Sequence, residues 1–111
     1  RLDPQHTKAY YNRGIAYGQL GQHEQATQDF AEAIRLDPQH TKAYYNRGIA
    51  YGQLGQHEQA TQDFAEAIRL DPQYAKAYYN RGVAHDKLGN AAQAERDFAK
   101  ASSLLPLAPP N

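Results

Sequence analysis

The chain has 111 residues, with twelve Lys and Arg against twelve Asp and Glu, and a formal net charge of zero at pH 7. That balance gives no bulk electrostatic reason to expect nucleic acid or an acidic membrane surface as a partner. There is no cysteine, which excludes disulfides and thiolate metal sites, and no apolar run is long enough to span a bilayer.

Residues 1–6, "RLDPQH", recur inside the chain at Arg35–His40 and are not preceded by an initiator Met. They read as the last turn and linker of a preceding unit, so the chain looks cut from a longer one. From Thr7 to Leu20 there is no proline, and Ala9, Tyr10, Arg13, Gly14 and Tyr17 fall on one stripe at helical offsets. Gly21 stands where a helix would end in a left-handed turn. His23–Leu36 carries a second helical stripe through Ala26, Phe30, Ala33 and Ile34, and Asp37-Pro38 stops it. Residues 7–40 are therefore expected to form a pair of antiparallel helices joined by a short turn.

Residues 41–74 write that unit again, with Lys8–Gln39 and Lys42–Gln73 identical letter for letter. Residues 75–108 are a looser third copy, and 109–111 close a Pro-rich tail. One hairpin cannot cover its own apolar faces, and a row of them can, each packing on the next. Leu, Ile, Val and Phe are scarce, so the core is expected to set Tyr and Phe against Ala and Gly at close helix approach. The third copy puts Ser102 for Ile68, Ser103 for Arg69 and Glu95 for Thr61. Such polar changes suit a terminal, water-facing repeat, although Leu104, Leu105 and Leu107 stay apolar. The first end shows no such softening, and Ala9 and Tyr10 are expected to face outward uncovered. Self-association through exposed end faces is the expected consequence.

Charged residues recur within the expected core. Arg13 with Asp29, Arg47 with Asp63, and Arg81 with Asp97 lie on inward stripes of the paired helices. A partly buried ion pair in each unit is expected, because an unpaired buried charge is costly. The competing reading has Arg13 extend to solvent. The opposite stripe of each first helix reads Lys8, Tyr11, Asn12, Ile15 and Gln19, then Lys42, Tyr45, Asn46, Ile49 and Gln53, then Lys76, Tyr79, Asn80, Val83 and Lys87. Tyr offers rigid contact area with a polar tip, Asn can grip a peptide backbone and Lys favours carboxylates. This stripe is either a peptide surface or an ordinary solvated helix face, since identical units produce ladders automatically.

Five His are present, but none pair at the four-residue helical spacing that sets two imidazoles on one metal. No metal or cofactor is expected. No acid–base or nucleophile constellation occurs, Ser102-Ser103 lacks a partnered base, and no Gly-rich phosphate loop is present, so an enzyme is not expected. RNA-reading helical repeats need base-discriminating residues that vary between copies, which these do not. The compartment is not encoded, with a soluble cytoplasmic setting as the default.

The chain resembles the tetratricopeptide repeat family in its period of 34 and its marker residues. In the first unit these are Tyr10 (the family usually has Trp), Gly14, Tyr17, Ala26, Phe30, Ala33 and Pro38. In the second they are Tyr44, Gly48, Tyr51, Ala60, Phe64, Ala67 and Pro72, and in the third Tyr78, Gly82, Ala94, Phe98, Ala101 and Pro106. Arg13, Arg47 and Arg81 depart from the family's usual Leu, and His85 from its Tyr. The resemblance implies an all-α, right-handed superhelical solenoid of three helix pairs whose concave side, lined by each first helix, binds peptides or proteins. It makes the Lys–Tyr–Asn stripe the groove face. Some relatives clamp the terminal carboxylate of chaperone tails with Lys and Asn at places matched here by Lys42, Lys76 and Asn46. The first-unit places of that clamp hold Tyr11 and Ile15, which argues against chaperone-tail binding. The implied function is a protein-interaction scaffold. Near-identity of the copies supports a different class, a structural or self-assembling array with no dedicated ligand.

Overall fold

The computed structural model describes residues 4–105. It contains six helices in chain order: α1 (Pro4–Gln19), α2 (His23–Leu36), α3 (Thr41–Gln53), α4 (His57–Leu70), α5 (Ala75–Lys87) and α6 (Ala91–Leu104). Among the described residues there is no strand. The molecule is an all-α helical-repeat solenoid in which α1 packs on α2, α3 on α4 and α5 on α6. Successive pairs meet through α2 against α3 and α4 against α5, with lighter contacts of α1 with α3 and of α3 with α5.

The turns follow from the glycines and prolines. Gly21, Gly55 and Gly89 have φ of 78°, 77° and 82°, a region that costs a residue with a Cβ about 1 kcal/mol or more. At the first, the Gln22 N–H donates to the Tyr17 carbonyl at 2.9 Å and the Gly21 N–H to the Gly18 carbonyl at 3.1 Å. These two bonds satisfy carbonyls that the end of α1 would otherwise leave open. After α2, the Asp37 N–H closes on the Ala33 carbonyl, and Asp37 Oδ1 accepts from the Gln39 N–H at 3.1 Å. His40 then caps α3, its Nδ1 accepting from the Ala43 N–H at 3.2 Å.

The core is built from small residues against one large ring. Ala26, Ala33, Ala43, Ala60, Ala67 and Ala77 are fully buried, with Phe30 and Phe64 beside them. A Cβ added to Gly14 would stand 2.6 Å from Phe30 Cε1, and one on Gly48 2.7 Å from Phe64 Cε1. Glycine is therefore required there by close approach, not by backbone conformation.

Three details differ from the sequence expectation. Residues 4–6, read as linker, form the first turn of α1, where Pro4 is tolerated because its missing N–H would have no helical acceptor. Tyr10 is not bare, since the Arg13 guanidinium lies 5.8 Å from its ring centroid. The arginine stripe is not uniformly buried: the Arg13 side chain is 60% exposed, against 21% for Arg47 and 26% for Arg81. Among the described residues no helix covers the outer face of α1, whereas α2 and α4 pack on α3 and α5. Residues 1–3, Pro106, Leu107 and the tail through residue 111 lie outside the described residues.

Candidate functional site

Each unit holds an arginine–aspartate fork. Arg13 Nε donates to Asp29 Oδ2 at 2.7 Å and its Nη2 to Oδ1 at 2.8 Å. Arg47 with Asp63 and Arg81 with Asp97 repeat this geometry at 2.8 Å for both bonds. The aspartates are buried, and every described buried side-chain polar atom has a partner. Burial pushes the Asp63 carboxyl up more than the hydrogen bond and charge of Arg47 hold it down, so the fork satisfies a buried group without a large net gain. The guanidinium of Arg47 also lies between the rings of Tyr44 and Tyr51 at 6.0 and 5.6 Å. These groups tie helix to helix within a unit; Arg47 and Arg81 are largely covered, whereas Arg13 stays exposed.

The Lys–Tyr–Asn stripe divides into parts with different surroundings. Tyr11 and Tyr45 are half-buried at the boundaries between units. The Tyr11 ring centroid is 5.8 Å from Phe30 and 4.6 Å from His40, and Tyr45 sits likewise against Phe64 and Tyr74 at 5.8 and 4.9 Å. Their hydroxyls accept from the next unit's asparagine, Asn46 Nδ2 at 3.0 Å and Asn80 Nδ2 at 2.9 Å. The same Nδ2 atoms donate to the carbonyls of Lys42 and Lys76 at 2.9 Å. Both amide protons are thereby engaged, which leaves Oδ1 as the remaining side-chain acceptor. Burial raises the hydroxyls of Tyr11 and Tyr45 above the ordinary phenol value.

Two adjoining cavities lie between the first helices of successive units. One, of about 430 Å³, is bordered by Ile15, Gln19, His23, Asn46, Ile49 and Gln53 over a floor of Ala26 and Phe30. The next, of about 330 Å³, is bordered by Ile49, Gln53, His57, Asn80, Val83 and Lys87 over Ala60 and Phe64. Ile49 and Gln53 form the ridge between them. Gly18 and Gly52 open the walls, with nothing within 4 Å of an added Cβ. Lys8, Tyr11 and Asn12 border a separate cavity of about 540 Å³ with Leu36, Asp37 and His40. Lys76, Tyr79 and Asn80 border one of about 380 Å³ at the far end with Phe98, Ala101 and Leu105. Lys42 is exposed.

The sequence reading missed His23 and His57 as lining residues, because their position at helix starts gave no sign that they face the neighbouring unit. It also missed the asparagine–tyrosine bond. Its signal was present in the recurring offset of 35 residues, one more than the repeat, from Tyr11 to Asn46 and from Tyr45 to Asn80.

Stacked helix pairs with a row of equivalent cavities along one face define a helical-repeat protein of the solenoid class. Tetratricopeptide repeat family models match residues 7–40 and 41–74, and a second such model matches 64–96. The chain belongs to the tetratricopeptide repeat family. Among solved structures it is similar to the second tetratricopeptide domain of Spaghetti (RPAP3) bound to the HSP90 peptide SRMEEVD. That match has 31% identity and a TM-score of 0.88, and covers 91% of this chain and 94% of that one. The Arabidopsis OM64 domain also matches at 31% identity and TM-score 0.88, with 90% of this chain and 83% of that one covered. The second domain of human RPAP3, in complex with the HSP70 peptide SGPTIEEVD, matches at 30% identity and TM-score 0.87, with 90% and 83% covered. A comparison with curated proteins finds no match. No described helix is long and apolar enough to cross a membrane.

Proposed function

We propose that this chain is a non-enzymatic protein-interaction scaffold whose α1–α3–α5 face holds an extended internal segment of a partner protein. The observation that carries the reading is the pair of adjoining cavities divided by Ile49 and Gln53. Equivalent cavities one unit apart suit two side chains of an extended peptide, with the apolar floors taking aliphatic or small aromatic groups. Rigid stacking places the face before the ligand arrives, so the peptide bears most of the ordering cost.

Similar domains bind HSP90 and HSP70 peptides, which supports peptide binding as the mode. The terminal-carboxylate clamp does not carry over. Asn46 has both amide protons engaged within the protein, and Tyr11 and Ile15 stand at the first-unit clamp places. The Oδ1 atoms of Asn46 and Asn80, which border the two cavities, are acceptors suited to peptide N–H groups, and Lys8, Lys76 and Lys87 favour acidic residues flanking the bound segment.

Panning an internal-peptide library against the chain, alongside Gln53→Arg, tests this. Gln53 is exposed, so the variant fills both cavities while the fold is retained. Enrichment of a shared pattern that Gln53→Arg abolishes is the expected result. No enrichment, or binding indifferent to Gln53→Arg, overturns the reading.

A further inference from the structure

The first and last described units carry the two halves of the internal boundary. At each internal boundary, the alanines of an incoming first helix bury against the phenylalanine of the preceding unit. Ala50 clusters with Ala26 and Phe30, and Ala84 with Ala60 and Phe64. Ala43, Ala50, Ala77 and Ala84 are at most 3% exposed. Their counterparts on α1, Ala9 and Ala16, are exposed. At the other end Phe98 is only half-buried, where Phe30 and Phe64 are buried. Tyr79 and Leu105 are 54% and 57% exposed there and border the cavity of about 380 Å³.

The polar halves match as well. Each internal boundary is bridged by an asparagine donating to the preceding unit's tyrosine hydroxyl. Asn12 stands at the donor position of that bridge and Tyr79 at the acceptor position, and neither bond is made among the described residues. Among the described residues neither the Asn12 side chain nor the Tyr79 hydroxyl has a hydrogen-bond partner.

We propose that a second copy of this chain docks its α1 face onto the α5–α6 end of the first, head to tail. The docked boundary continues the α2–α3 and α4–α5 boundaries: Ala16 of the incoming copy covers Phe98, and its Asn12 donates to the Tyr79 hydroxyl. The contact is heterologous, so the pairing leaves one free face at each end and growth is open. It is weaker than an internal boundary for two reasons. The two copies are not tethered, and Ser102 stands where the internal units have Ile34 and Ile68.

Sedimentation velocity over a concentration series tests this with the wild-type chain, Ala16→Glu and Ser102→Arg. Ala16 and Ser102 are exposed, and circular dichroism checks that both variants stay helical. The wild type is expected to gain mass steadily with concentration, while each variant alone stays monomeric. An equimolar mixture of the two is expected to form a dimer that grows no further, because one variant keeps an intact α1 face and the other an intact α5–α6 end. Asn12→Ala is expected to weaken wild-type association about fivefold, the loss of one hydrogen bond. A wild type that is monomeric throughout, a blocked variant that dimerises alone, or a mixture that stays monomeric overturns the proposal.

Discussion

Asn46 Nδ2 spans the boundary between the first two units, donating to the Tyr11 hydroxyl at 3.0 Å. Asn80 and Tyr45 repeat the bond at 2.9 Å. These are polar ties between units, set beside the Tyr11–Phe30 and Tyr45–Phe64 ring contacts. A double-mutant cycle with Tyr11→Phe and Asn46→Ala is expected to give a coupling of about 1 kcal/mol in urea unfolding. A coupling indistinguishable from zero would show that the tie contributes nothing to stacking.

Two glycines on one helix should respond to alanine with opposite signs. Gly48 faces Phe64, and a Cβ there meets the ring at 2.7 Å. Gly48→Ala is expected to destabilise by about 1–3 kcal/mol, since overpacking exceeds the gain in helix propensity. Gly52 has open space around an added Cβ, and Gly52→Ala is expected to stabilise by about 0.5 kcal/mol through the unfolded chain's lost freedom. Thermal melts of the two variants give the comparison directly, and equal effects would contradict the packing described.

The arginine forks are chemically alike but differ in exposure. Asp63→Ala leaves Arg47, whose side chain is 21% exposed, without its counter-ion, and is expected to cost about 3 kcal/mol. Asp29→Ala leaves Arg13, 60% exposed and within reach of water, and is expected to cost clearly less. Chemical denaturation of both variants checks the order, and a larger loss at Asp29 would reverse the argument.

Alkaline pH should loosen the boundary between the second and third units. Tyr74 lies against Tyr45, and burial first, then the neighbouring phenols and Asp71, pushes its hydroxyl from 10.0 up to about 12. A folded-state value above the unfolded one gives a stability contribution that is complete below pH 10 and disappears as pH rises through about 12. Unfolding free energy is therefore expected to fall across that window. Tyr74→Phe is expected to flatten the fall, as measured by denaturant titrations at successive pH values.

Much of the fold was legible because the repeat announces itself. The bounds of α2 follow from the apolar stripe between Gly21 and Pro38, and the helix observed is His23–Leu36, the span read from the sequence. The start of α1 was misplaced because Pro4 resembles Pro38, which sits in a turn. Nothing local distinguishes a proline that ends a helix from one in a first turn. The groove stripe was only partly legible. Periodicity puts Tyr11 and Ile15 on one face, but it cannot tell that Tyr11 turns into the boundary while Ile15 borders a cavity. That depends on His40 and Asn46, which arrive from the next unit. His23 and His57 escaped notice for the same reason.

Every described helix touches only helices of its own unit and of the adjoining units. Energetically the molecule is close to a one-dimensional chain of links, so stability should depend on how many links there are and how firmly each grips the next. A further block spliced between His40 and Thr41 would find both its docking surfaces already present. Melting should then begin at the outermost hairpins and travel inward, leaving the middle pair as the last to open.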